Sequence, residues 1–202
     1  MKKLICALIV MSLLVFLGCT PGPKSVENYM DVSIDGFTTG IPVDWEEEDV
    51  TEDPEVAELI RESQGGYAVA MYGDVSESAL VMVMLVNMER LYELEGESWE
   101  SWQQVEEVED MSKRELSIIF SSYAMFEAEN VTRKEVRMLT IDNKDVSELI
   151  YSCEIEGIPT NVNLLVIFGE NKLGIIMFAV KEVAWPTFQE CWPIIRDSTR
   201  LR

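Results

Sequence analysis

Ala79-Leu80-Val81-Met82-Val83-Met84-Leu85-Val86 is apolar at every position, in a chain whose residues are 26% charged. Successive side chains of a strand point to opposite faces, so a strand apolar throughout must be covered on both faces. Two later segments share the property: Leu164-Leu165-Val166-Ile167-Phe168 and Ile175-Ile176-Met177-Phe178-Ala179-Val180. Together they place the centre of a sheet inside the molecule, with a layer on each side.

The flanking sequence supplies those layers. Strands are expected at about 29–34 and 36–42, turned by Asp35-Gly36, a dipeptide that accepts the left-handed backbone of a tight hairpin. Asp53-Pro54 opens a short helix that Gly65-Gly66 closes. Strands at roughly 66–73 and 79–88 follow. A long helical region is expected over 98–128, broken near Asp110–Ser112. Its first half carries Trp99, Trp102, Val105 and Val108 every third residue, and its second half begins with the capping box Ser112…Glu115. Strands at about 131–141, 145–156, 160–169 and 172–181 form a meander with turns at Asp142-Asn143-Lys144, Gly157-Ile158-Pro159 and Gly169-Glu170-Asn171. A last helix starts near Pro186, and Pro193 should kink or break it because the bond back to Gln189 is lost. The expected fold class is α/β: one domain over 29–202, an antiparallel sheet with helices on both faces, an α-β-α sandwich.

That order of elements, with Gly40-Ile41-Pro42-Val43-Asp44-Trp45 early and Phe188…Ile195…Ser198 at the end, resembles the PsbP/Mog-like superfamily over roughly 29–200. The superfamily includes the extrinsic photosystem II subunit PsbP, Mog-type Ran-binding proteins, DcrB-type lipoproteins and type VI effector chaperones. Asp44 stands where these proteins usually carry Gly in Pro-x-Gly-Trp, and Pro193 departs from their pattern. The resemblance implies a binding or assembly protein without catalytic machinery and names no partner.

The amino terminus speaks to location. Met1-Lys2-Lys3 precedes an apolar run from Leu4 to Leu17, shorter than the ~20 residues that span a bilayer. Phe16-Leu17-Gly18-Cys19 resembles the lipobox of exported lipoproteins, with Phe16 in place of the usual Leu. Residues 1–18 then read as a signal peptide, Cys19 as the lipidated residue, and 19–28 as a Pro/Gly-bearing tether. The expected localisation is the extracytoplasmic face of a cell membrane, held by the lipid on Cys19.

Losing Lys2 and Lys3 with the signal leaves 14 basic and 37 acidic residues, a net charge of −23. Such a surface is unsuited to nucleic acid or to electrostatic docking on anionic lipid. The chain contains no histidine, which removes the usual general base, the commonest metal ligand and the Ser/Cys–His pair. No nucleophile elbow, P-loop or dinucleotide fingerprint occurs. The expectation is no enzyme, no cofactor and no metal.

Several residues invite a role beside a plainer one. Cys153 and Cys191 either pair as a disulfide in an oxidising compartment or fill the core as small buried residues. Trp99 and Trp102, with Leu91 and Tyr92 before them, either form an exposed aromatic patch for a partner or pack on the sheet. Asn130-Val131-Thr132 is a glycosylation sequon. Glu46–Glu55 offers an acidic loop for a cation or small ligand, although adjacent glutamates splay apart and hard cations need converging oxygens. A deep pocket would favour that small-ligand alternative, an open sheet edge a protein partner, and a buried carboxylate pair a hydrolase.

Overall fold

The computed structural model describes residues 29–52, 54–102, 112–124 and 128–202. The signal segment, Cys19, the tether, Asp53 and residues 103–111 lie outside them. Among the described residues ten strands form two antiparallel sheets. The main one has seven strands in the order β3-β4-β5-β9-β8-β7-β6, and the smaller is β1-β2-β10. In the main sheet these are β3 (Glu46–Glu48), β4 (Tyr67–Gly73), β5 (Ala79–Asn87), β6 (Glu129–Ile141), β7 (Lys144–Ile155), β8 (Ile158–Phe168) and β9 (Lys172–Lys181). The small sheet joins β1 (Tyr29–Ile34) and β2 (Phe37–Pro42) to the chain's last strand, β10 (Arg200–Leu201).

β5 lies between β4 and β9, and its alternation sorts its side chains between two cores. Leu80, Met82, Met84 and Val86 enter one cluster, while Ala79, Val81, Val83 and Leu85 enter the other. β8 and β9 divide in the same way: Leu164, Val166, Ile175 and Met177 on one face, Leu165, Ile167, Ile176 and Phe178 on the opposite one. Burying each such side chain contributes roughly 1.5–3 kcal/mol before chain entropy is charged against it. An apolar residue at every position is therefore what a central strand in a three-layer fold requires.

The first face is covered by α2 (Met88–Leu94), by the segment bearing Trp99 and Trp102, and by α3 (Lys113–Ala124), with Ile60 of α1 (Pro54–Glu62) packed against it. The second is covered by the small sheet together with α4 (Trp185–Phe188) and α5 (Cys191–Ser198). One covering layer is thus mixed sheet and helix. Asp35 at φ 43° and Gly36 at φ 86° form the left-handed hairpin turn between β1 and β2. Gly174 in β9 lets the small sheet approach: a Cβ there would lie 2.8 Å from the Phe37 ring. Phe178 stacks on Trp45 at a centroid distance of 6.2 Å and on Trp192 at 6.0 Å, joining β9, the loop after β2 and α5.

Two local expectations need correction. Residues 98–101 are irregular rather than helical. The helix in this region lies earlier, over Met88–Leu94, with Asn87 as its N-cap accepting from the Arg90 amide at 3.1 Å. It was hidden because Met88, Leu91 and Tyr92, its buried face, continue the apolar run of β5. Pro193 breaks the last helix as its sequence predicts: it cannot donate to the Gln189 carbonyl, and it sits as the third residue of α5, in a first turn that needs no intrahelical amide donor. The interruption falls before it, at Gln189–Glu190, between α4 and α5.

Candidate functional site

Chemistry-bearing side chains concentrate along the two edges of the main sheet. At one edge, β3 is three glutamates, Glu46-Glu47-Glu48. With Asp49, Val50, Thr51, Val69 and Ala70, Glu47 and Glu48 line an open cleft of about 450 Å³. Asp49 is committed to its own turn, accepting from the Thr51 amide at 2.9 Å and hydroxyl at 2.6 Å, and these bonds lower its pKa. Burial, reinforced by nearby Glu77, raises the Glu48 pKa, and Glu48 Oε2 is buried with no hydrogen-bond partner among the described residues. Among the described residues no three acidic or cysteine side chains converge as a metal site would need.

At the other edge, β6 runs for 13 residues and is mostly exposed. Register shifts fall between Glu129 and Thr132 and between Arg133 and Glu135. From Glu135 to Ile141 it pairs regularly with Ile150 to Lys144, and among the described residues no strand pairs with its outer side. Arg137 on this run reaches both Glu135 and Glu148. Glu148, on β7, is 1% exposed. Its Oε1 accepts from Trp192 Nε1 at 2.6 Å and Arg196 Nη1 at 3.3 Å, and its Oε2 from Arg137 Nη1 at 3.4 Å. The partners of this buried carboxylate are two guanidinium groups and an indole, an arrangement that ties α5 and the β6 edge to the sheet. Glu148 carries little signal in the sequence: a single charged residue amid the inward-facing positions of β7 is all that marks it.

The other expected residues are placed as follows. Cys153 and Cys191 are free, so the possible disulfide is not formed, and both are buried in the core, the plainer of the two roles the sequence offered. They belong to the two cores on opposite faces of the main sheet, so the sheet itself separates them. Burial pushes the Cys153 thiol up to about 11 and raises that of Cys191 as well. Trp102 is buried and donates to Gly169 O at 2.9 Å; Trp99 is half-buried and donates to Glu170 O at 3.1 Å. Their rings meet edge to face at 5.0 Å, and Trp102 meets Phe168 at 5.3 Å. The two indoles therefore clamp the β8–β9 turn, and Leu91 and Tyr92 are buried with them. Asn130 is exposed at φ 53°, within the bulged start of β6, and its amide donates to Glu154 at 2.8 Å. No helix among the described residues is long and apolar enough to cross a membrane.

The residues that carry the resemblance meet in one place. Ile41, Trp45, Phe188 and Ile195 are all buried in the second core, and Ser198 Oγ accepts from the Gly40 amide at 2.8 Å. The two ends of the domain are thereby joined.

Comparison with solved structures agrees with that architecture. The chain is similar to cyanobacterial PsbP from Synechocystis sp. PCC 6803, with a TM-score of 0.56 at 13% identity, covering 91% of this chain and 98% of that one. A protein of unknown function from Pseudomonas aeruginosa aligns at a TM-score of 0.47 and 10% identity, covering 86% and 97%. LpqN, involved in cell envelope biogenesis of Mycobacterium tuberculosis, aligns at 0.40 and 11%, covering 85% and 89%. No protein-family model matches the sequence, and no curated protein matches it by sequence. The chain has a PsbP-like fold.

Proposed function

We propose that this chain is a lipid-anchored, extracytoplasmic module that binds or helps assemble a protein partner and performs no catalysis. The observation that carries the proposal is the long outer edge of β6, unpaired among the described residues, whose backbone groups are a template for another chain. The run from Leu4 to Cys19, with its lipobox-like end, supports the anchor. The PsbP-like fold is compatible with such a role without specifying it. The buried carboxylate of Glu148, bonded to cations and an indole, serves architecture.

Replacing Cys19→Ser tests the anchor: the protein should leave the membrane fraction and appear in a soluble extracytoplasmic fraction. Continued membrane retention of the variant contradicts lipidation. A second role, binding a cation or small ligand at the acidic loop, is favoured by the cleft beside Glu48. Calorimetry with calcium distinguishes the two: heat that disappears in Glu48→Gln supports the second role, and no heat removes calcium binding. Glycosylation at Asn130 is proposed only for a host that modifies exported sequons, and a mass shift lost in Asn130→Gln would register it.

A further inference from the structure

We propose that the outer edge of β6, from Arg133 to Ile141, receives an extended acidic segment of the partner as an eighth strand of the main sheet. The inference rests on the binding-module proposal and specifies its surface and ligand chemistry. Glu135–Ile141 forms the regular stretch, about 24 Å at 3.4 Å per residue. A segment lying along it would be held by main-chain hydrogen bonds and chosen by its side chains.

The sign of the charge identifies the segment. Acidic residues outnumber basic ones 37 to 16 in the whole chain, yet the edge from Arg133 to Ile141 carries three cations, Arg133, Lys134 and Arg137, against Glu135. Charge and bulges both blunt an edge, but an acidic edge such as β3 repels copies of this acidic protein and any other acidic strand, whereas cations still admit an acidic one. β6 is the cationic kind. Arg133 and Lys134 are exposed, and among the described residues neither makes a side-chain hydrogen bond or ion pair. Glu135, the carboxylate that would repel an acidic strand, is already held by Arg137. Met138 on the regular stretch is 46% exposed, leaving apolar surface beside these charges. A fitting strand alternates acidic and apolar residues.

The test uses the full chain in mild detergent and a fluorescein-labelled peptide of alternating Glu and Val, read by fluorescence anisotropy. The peptide should bind, and binding should weaken about tenfold in the double variant Arg133→Glu/Lys134→Glu, a loss of roughly 1.4 kcal/mol. It should also weaken when salt is raised to about 0.5 M. The same peptide with a central proline should fail, since proline removes a ladder donor. Equal binding of the proline peptide, of an alternating Lys and Val peptide, or by the double variant would each overturn the proposal. So would a dimer of the chain abolished by the double variant, because the occupant would then be a second copy. If the peptide does not bind but crosslinking from other faces captures one defined protein in cells, the edge assignment falls and the binding module stands. If no face captures a protein, the module falls too.

Discussion

The two edges of one sheet solve the same problem in opposite ways. β3 is three residues long and wholly glutamate, so it offers little ladder and repels anything acidic, other copies of this chain included. β6 is 13 residues long, bulged in its first half and regular in its second, and it carries cations on an otherwise acidic protein. The difference extends inward. β6 is braced through Arg137 to buried Glu148 and from there to Trp192 and Arg196 of α5, whereas the buried oxygen of Glu48 beside β3 has no partner among the described residues. One edge is closed by charge and brevity, and the other is braced from within and, among the described residues, unpaired on its outer side. A sheet that discourages pairing at one end can keep a pairing surface at the other without polymerising through both.

The contrast can be broken most forcefully at Glu148. Glu148→Ala leaves the buried Trp192 indole without its acceptor, while Arg137 and Arg196 keep Glu135 and Asp197, and the expected loss is about 1–3 kcal/mol in urea unfolding. Hydrogen exchange of β6 amides should accelerate more than that of β3. A loss below about 1 kcal/mol would show that α5 and β6 are held by packing alone. Next in size, Arg137→Gln should lower the unfolding midpoint by less than Glu148→Ala does, because Trp192 and Arg196 still serve the carboxylate; an equal loss would make Arg137 the principal brace.

The smallest effect is expected at β3. The Glu48 pKa is raised above 4.5, so ionisation of the folded protein opposes folding at neutral pH, and this cost vanishes as pH falls below the unfolded value. Glu48→Gln should therefore raise the melting temperature at pH 7, with the gain fading toward pH 4.5. A gain that grows on acidification would reverse the assigned cause.

Much of the sheet was legible because its signals are local. The all-apolar runs at 79–86, 164–168 and 175–180 require two covered faces whatever surrounds them, and Asp35-Gly36 dictates its own turn. Two strands of the small sheet, β1 and β2, were legible with their turn, but its third was not, since β10 is only Arg200–Leu201 and owes its existence to pairing with β2, far away in the chain. Trp99 and Trp102 imitate helical spacing, yet their indole protons satisfy turn carbonyls and the chain between them is irregular. The helix at Met88 is announced by Asn87, but the apolar run of β5 drowns the signal. The site was half visible. The strand at 131–141 could be read, but that it ends the sheet, and that its Arg137 meets a buried Glu148, depends on strand order, which no local pattern encodes.

Photo-crosslinking in intact cells tests the central claim most directly. A photoreactive residue is placed at exposed Thr140 on β6 and, in a separate chain, at exposed Glu47 on β3. The account predicts that Thr140 captures one defined protein through an acidic segment and that Glu47 captures none. Capture of that protein from Glu47 and not from Thr140 would contradict it.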